Sequence, residues 1–242
     1  MPNEKPSKDE LKRIVARAAI DDLFASGLIA GGTRIGLGTG STAMPAVERV
    51  GELVREGKLP GLRAVATSFQ TRAACEELGI PVLSMNAREV TGSLDIAIDG
   101  ADEIDGKKRL IKGGGAALLL EKIVAYNAAR FVIIADESKV VDTLGTGFRL
   151  PVEIVPEARL AVEAALRRLG AESVLREGVR KAGPVVTDNG NHILDCLWQA
   201  PVDPARMEAE INAIVGVVEN GFFARVTPTV YVARADGSVE KR

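Results

Sequence analysis

The sequence predicts an α/β protein in which a Rossmann-like, mostly parallel sheet domain is joined to a second, smaller α+β domain of the split β-α-β, ferredoxin-like kind. Three observations predict it. Short apolar runs alternate with segments of helical period over the first 139 residues, the order of a parallel sheet with helices on both faces. Residues 131–135, Phe-Val-Ile-Ile-Ala, are apolar at every position, as a strand covered on both faces must be. After Pro151 the order becomes strand, helix, strand, strand, helix, strand, which fits two helices on an antiparallel sheet. On this reading residues 1–150 and about 225–242 form the α/β domain and residues 151–224 the smaller one.

The elements follow in chain order. Ser7 with Glu10 three residues on is a capping-box pattern, and Leu11, Ile14, Val15, Ala18, Ala19 and Leu23 extend it into a helix over residues 8–26. Gly27 and the Gly31-Gly32 pair end that helix before a strand at 33–37, which runs into Gly38-Thr39-Gly40-Ser41-Thr42. The next helix, 42–56, accepts Pro45 in its first turn. A strand at 62–66, a helix at 70–78, a short strand at 81–83 and a strand at 94–98 continue the alternation. The last of these delivers Asp99 and Asp102 into a turn around Gly100. Beyond Asp105-Gly106 come Leu110, Ile111 and Lys112, then Gly113, Gly114 and Gly115 opening a helix over 116–130. In the second domain the expected strands are 152–155, 173–177, 185–187 continuing past Asn189-Gly190 to 193–196, and 216–223, with helices at 157–169 and 204–214. A strand at 229–234 returns to the first sheet or seals the boundary, and the tail from Asp236 is polar.

Composition limits the functional classes. Across 242 residues, 31 Lys and Arg stand against 33 Asp and Glu, a net charge of -2, so nothing global favours nucleic acid or an anionic membrane, and any anion site is local. Cys75 and Cys196 match no metal-ligand spacing and read as buried free thiols of a reducing compartment, hence a cytoplasmic protein. No metal and no cofactor are expected. The charged N-terminus lacks an apolar leader, and no stretch approaches the ~18 apolar residues of a membrane span.

Chemistry concentrates in two places. The 38–42 loop fails the dinucleotide fingerprint, because the third glycine would fall at Ser41 and the strand at 62–66 ends in Thr67 and Ser68 rather than an acid. Backbone N–H groups with the hydroxyls of Thr39, Ser41 and Thr42 suit a small phosphate better; the plain alternative is a tight turn with a Ser/Thr helix cap. The second place is Asp99 to Lys122. Glu121 sits among Ala117, Leu118, Val124 and Ala125 on an apolar helix face, which solvation does not explain. Taken singly, Asp99 and Asp102 are turn formers, Lys112 is a solvated lysine and Glu121 a partner in a surface ion pair. In open sheets ligands gather at the C-terminal strand ends, so the Gly38 loop, Asp99, Asp102 and Lys139 can converge. His192, the sole histidine, reads as a surface residue of the second domain without a catalytic part.

Together Gly38-Thr39-Gly40-Ser41-Thr42, Asp99-Gly100-Ala101-Asp102, Lys112-Gly113-Gly114-Gly115 with Glu121-Lys122, Ala135-Asp136 with Ser138-Lys139, and Val186-Thr187-Asp188-Asn189-Gly190-Asn191 resemble the type A ribose-5-phosphate isomerase family, in order and across nearly the whole chain. The resemblance implies a metal-independent aldose-ketose isomerase of the non-oxidative pentose phosphate pathway, interconverting D-ribose 5-phosphate and D-ribulose 5-phosphate through an enediolate. It makes Glu121 the base between C1 and C2; a base of this kind works best with a pKa near neutrality, and an apolar face desolvates it in that direction. It places Asp99, Asp102 and Lys112 around the sugar oxygens, with Gly100 and Ala101 between the two acids. Lys112 and the N–H groups of Gly113, Gly114 and Gly115 would meet the developing charge. It assigns the phosphate to Lys12, Ser41, Thr42 and Lys139 beside Gly38, Thr39 and Gly40. Leu120 departs from the family, where an arginine commonly precedes the glutamate. The expected assembly is a homodimer or homotetramer. A sugar-phosphate sensor would keep the loop and lose Glu121, and an amino-sugar-phosphate deaminase would need ring-opening groups that a single histidine hardly supplies.

Overall fold

The computed structural model describes residues 5–242, so the first four residues of the charged N-terminal segment lie outside the described residues. The order is α1 (Lys8–Ala25), β1 (Arg34–Leu37), α2 (Met44–Arg55), β2 (Arg63–Ala66), α3 (Phe69–Glu77), β3 (Ile96–Asp99), β4 (Glu103–Ile104), β5 (Leu110–Ile111), α4 (Leu118–Tyr126), β6 (Phe131–Asp136), β7 (Leu150–Ile154), α5 (Arg159–Arg168), β8 (Ala171–Leu175), β9 (His192–Trp198), α6 (Pro204–Asn212), β10 (Val217–Asn220), β11 (Phe222–Phe223), β12 (Thr229–Ala233) and β13 (Val239–Lys241). No helix among the described residues is long and apolar enough to cross a membrane.

The chain packs as two units. The first comprises residues up to Gly100, Ile123–Lys139 and Pro228–Arg242; the second comprises Ala101–Lys122 and Val140–Thr227. This division differs from the expected 1–150 with about 225–242, and 151–224, in that residues 101–122 and 140–150 fall in the second unit. Residues 101–122 belong with the second unit because β5 pairs with both β4 and β11, and Ile111 and Leu144 join Leu150, Val152 and Ile154 in one apolar cluster. Change of sequence texture at Pro151 gives no sign of such pairing, which links segments about a hundred residues apart.

In the first unit the sheet runs β13-β12-β6-β3-β1-β2, parallel except for β13 at the edge. Alternation splits β1 between two layers: Ile35 and Leu37 join α1, α2 and α3 side chains in the core, while a Cβ on Gly36 would meet Val124 of α4 on the other face. Helices therefore cover both faces, and β6 is buried at every position. Ser7 and Glu10 cap α1 reciprocally, with Ser7 N–H donating to Glu10 Oε2 at 2.7 Å and Glu10 N–H to Ser7 Oγ at 3.3 Å. Departures are local. The expected strand at 81–83 is a single bridge of Val82 to Ala64, and the polar tail carries β13. Helix α2 starts at Met44 rather than position 42, after a turn over residues 41–43 with no side-chain cap.

In the second unit four antiparallel strands lie in the order β10-β7-β9-β8, with α5 after β7 and α6 after β9. That is the split β-α-β order expected. Residues 185–187 form no strand; Thr187 instead closes a tight turn, its N–H donating to Asn191 O at 2.8 Å, with Gly190 at φ 82. Expected strand 216–223 breaks at Gly221 into β10 and β11, which join different sheets.

Candidate active site

Each unit carries one cluster of predicted site residues. In the first unit it stands at the β1/β3 junction. Strands β2 and β3 flank β1, so the strand order reverses there, the place where open α/β sheets bind ligands. Asp99 ends β3, is 3% exposed, and its Oδ1 accepts from Gly100 N–H at 2.7 Å and Thr39 N–H at 3.2 Å. The carboxylate lies so close over Gly38 that a Cβ there would stand 2.0 Å from Oδ1, which only glycine avoids. A Cβ on Gly100 would meet Thr42 Cβ at 3.3 Å. Hence Gly38, Thr39, Thr42, Asp99 and Gly100 come together. Gly40, with φ 93, turns the loop, and Ser41 is exposed before the N-terminus of α2.

One expectation changes in detail. The Thr39 hydroxyl faces inward, 2.7 Å from Thr67 Oγ1 and donating to Ser68 Oγ at 2.8 Å, and is therefore spent on the loop rather than offered to an anion. Thr71 Oγ1 donates to Gly38 O at 2.7 Å, and Gln70 Oε1 accepts from Gly40 N–H at 3.3 Å. These four residues at the end of β2 and the start of α3 brace the loop. Sequence reading met Thr67 and Ser68 only as a missing acid; an unbroken Thr-Ser-Phe-Gln-Thr run after a neighbouring strand was the available signal. Lys12 pairs with Asp9 of its own helix at 2.9 Å, and Lys139 ends a 3-10 turn, Glu137–Lys139, just past β6. Among the described residues no hydrogen bond or ion pair joins either lysine to the loop.

The second unit's cluster begins at Ala101 and Asp102. Between Asp99 and Lys122 the chain buries the charged side chains of Glu103, Asp105, Lys112, Glu121 and Lys122 as well as Asp99 itself, and burying charge costs free energy unless something compensates. Part of this is structural. Glu103 accepts from the N–H groups of Gly145 at 2.6 Å and Gly147 at 3.0 Å; Asp105 accepts from Arg109 Nε at 2.6 Å and from two backbone N–H groups at 2.9 Å. Lys122 Nζ donates to Asn220 O at 2.7 Å and Glu219 at 2.8 Å, and lies 3.5 Å from Glu208; burial nevertheless lowers its pKa from the ordinary lysine value.

Lys112 and Glu121 face each other. They are 3% and 4% exposed, and Lys112 Nζ lies 3.3 Å from Glu121 Oε2 and 5.7 Å from the Phe223 ring centroid. Lys112 follows β5 directly, and its N–H donates to Gly221 O at 2.9 Å. Glu121 stands in the first turn of α4, where the helix dipole favours a negative charge. That helix starts at Leu118 rather than 116, because Ala116 takes φ 56, and ends at Tyr126, because Leu94 N–H donates to Asn127 O and Ala129 N–H donates to Leu94 O. Gly113, at φ 104, is packed so that a Cβ would stand 2.8 Å from the Leu118 side chain. Gly114 N–H donates to Asp102 Oδ2 at 2.8 Å, while Gly115 is exposed. Leu120 is half-buried beside Glu121. His192 opens β9, half-buried opposite Ile154. Among the described residues no group of three or more His, Cys, Asp or Glu side chains is placed to hold a metal ion.

Comparison with known proteins bears on this arrangement. The family model described as ribose 5-phosphate isomerase A (phosphoriboisomerase A) matches residues 63–237, more than half of the chain. The chain is 59% identical over 233 residues to ribose-5-phosphate isomerase A of Treponema denticola, covering 96% of this chain and 98% of that relative. Among solved structures, ribose 5-phosphate isomerase A of Methanocaldococcus jannaschii is similar at 42% identity and a TM-score of 0.88, covering 98% of this chain and 100% of that one. A D-ribose-5-phosphate isomerase in complex with phospho-erythronic acid is similar at 39% identity and a TM-score of 0.90, over 98% and 99% of the two chains.

Proposed function

Since the chain belongs to the ribose 5-phosphate isomerase A family and interconverts D-ribose 5-phosphate and D-ribulose 5-phosphate, we propose that the Lys112–Glu121 pair is its acid–base centre. The observation that carries this is the burial of both charged groups 3.3 Å from each other, Lys112 just past β5 and Glu121 in the first turn of α4. Glu121 takes the proton from C2 of the open-chain aldose; the C–H electron pair becomes the C1=C2 bond, and the carbonyl pair moves onto O1. Lys112 faces that charge as it develops, in a site where water does not weaken the interaction. A proton passes from O2 to O1, and Glu121 returns its proton to C1, leaving the ketose. Asp99 and Asp102 serve ring opening and the transfer between O1 and O2. Phospho-erythronic acid, bound by the relative, is an aldonate phosphate whose carboxylate carries two coplanar oxygens like those of the enediolate, which supports a site of this kind.

The phosphate belongs to the 38–42 loop: the Ser41 and Thr42 hydroxyls and the N-terminus of α2 supply donors, and Lys12 and Lys139 supply charge. Lys139→Ala should raise KM for ribose 5-phosphate about tenfold, the value of one charge-assisted hydrogen bond, with a smaller change in kcat. Inorganic sulfate should inhibit the variant less than the parent. Unchanged KM together with unchanged sulfate inhibition would place the phosphate elsewhere.

No step of this reading uses a metal ion, so EDTA should leave turnover unchanged, and an EDTA loss reversed by a divalent cation would overturn it. The direct assay sets ribose 5-phosphate against glucosamine 6-phosphate, with ketose formation expected from the former and no ammonia released from the latter. We also propose assembly as a homodimer or homotetramer, supported by exposed Leu160, Val174, Val179 and Val215 in the second unit and open to light scattering. Buried free thiols at Cys75 and Cys196 support a cytoplasmic location.

A further inference from the structure

Two side chains outside the acid–base pair converge on the glycine loop that follows Lys112. Arg176 lies just past β8, and its Nη1 donates to Gly113 O at 2.9 Å and to Gly114 O at 3.1 Å. The rest of its guanidinium is gripped by Asp195 of β9: Nε donates to Oδ2 at 2.8 Å and Nη2 to Oδ1 at 2.5 Å. Both side chains are largely buried, at 15% and 20% exposure. The backbone below them is also pinned, since Arg176 N–H donates to Ile193 O at 2.9 Å and Arg176 O accepts from Val185 at 2.8 Å. A planar fork held on one side by a carboxylate can present its remaining N–H groups in only one direction.

What the fork touches gives it a consequence for the chemistry. Gly113 C=O shares a peptide unit with Gly114 N–H, and that N–H donates to Asp102 Oδ2 at 2.8 Å. Gly114 C=O likewise shares a peptide unit with Gly115 N–H. A cation on a carbonyl oxygen polarises its peptide and strengthens the N–H on the far side. The loop also needs outside support: Gly113 sits at φ 104 and Ala116, which carries a Cβ, at φ 56.

We propose that the Arg176–Asp195 pair is a positioning device for the isomerisation, setting the 113–114 and 114–115 peptide planes so that Asp102 is held and the Gly115 N–H is aimed at the developing enediolate charge. The inference rests on the assignment of Lys112, Glu121 and the glycine loop made above. Arg176 itself touches no reacting atom. A purely structural arginine would tie β8 to β9 and act on stability alone, so kinetics and stability separate the two roles.

The test compares Arg176→Met, Arg176→Lys and Asp195→Asn with the parent enzyme in kcat, KM for ribose 5-phosphate, inhibition by phospho-erythronic acid and by sulfate, and melting temperature. Arg176→Met should lower kcat about 10- to 100-fold, as small misplacements of catalytic groups do, and weaken phospho-erythronic acid by a similar factor. KM and sulfate inhibition should stay within about twofold, because the phosphate contributes uniform binding. Arg176→Lys should recover part of the loss, and Asp195→Asn should show the same pattern at smaller size. Unchanged kcat in a folded Arg176→Met, or a loss shared equally by kcat, KM and sulfate inhibition, overturns the proposal. If Arg176→Met does not fold, Asp195→Asn decides alone, since it keeps both side chains and weakens only their pairing. Glu121→Gln run alongside separates the levels: a dead Glu121→Gln beside a fully active Arg176→Met removes the positioning device and leaves the acid–base assignment standing.

Discussion

Glu121→Gln should leave a folded protein that still responds to sulfate while its turnover falls by about two to four orders of magnitude, the usual contribution of a positioned base. Glutamine keeps the shape and removes the proton acceptor. The cost to stability is real but bounded, because the amide oxygen can still face Lys112, whereas deleting one side of a buried pair outright costs about 3–5 kcal/mol. A lower melting temperature is therefore expected and does not count against the assignment. The decisive readout is exchange: in deuterated water the parent enzyme should wash the C2 proton of ribose 5-phosphate into solvent, and the variant should lose that exchange in step with isomerisation. Turnover near that of the parent would put the base elsewhere.

The sequence showed this residue because its signal is local. A carboxylate among Ala117, Leu118, Val124 and Ala125 contradicts the face it occupies, and the structure buries it there. The same holds for β6, whose uninterrupted apolar run is buried at every position. What stayed hidden depends on partners distant in sequence. Thr39 turns its hydroxyl away from any anion only because β1 and β2 are in register, bringing Thr67 beside it. Arg176 meets Gly113 across 63 residues, and no spacing rule connects them. Strand β13 has no apolar run to announce it; Val239, Glu240 and Lys241 pair through their backbone with β12, and the Lys241 ammonium reaches Asp22 at 2.7 Å. By sequence neighbours residues 101–122 read as part of the first domain, yet the β5–β11 pairing groups them with a segment more than a hundred positions later.

Lys112→Met should lower kcat by about two to three orders of magnitude, the loss seen when one donor facing a developing oxyanion is removed. Methionine nearly matches the aliphatic stem, so packing is largely kept and the missing element is the charge, which stands 5.7 Å from the Phe223 ring centroid. Two effects then act together. On the proposed assignment the enediolate loses the cation that faces O1, which should slow the chemistry at every pH. Glu121 also loses a positive charge 3.3 Å away that favours its ionised form, so the acid limb of the pH–kcat/KM profile should move to higher pH. The sign is definite: an ammonium stabilises the neighbouring carboxylate, and its removal makes that carboxylate easier to protonate. KM should change less than kcat, since the charge met by Lys112 exists mainly in the transition state. Lys112→Arg is the companion variant. It restores charge but not geometry, because a planar fork is wider than an ammonium, and it should return the pH profile more fully than the rate. If Lys112→Met keeps both the parent rate and the parent acid limb, the buried lysine serves the fold, and the enediolate charge is met by other groups.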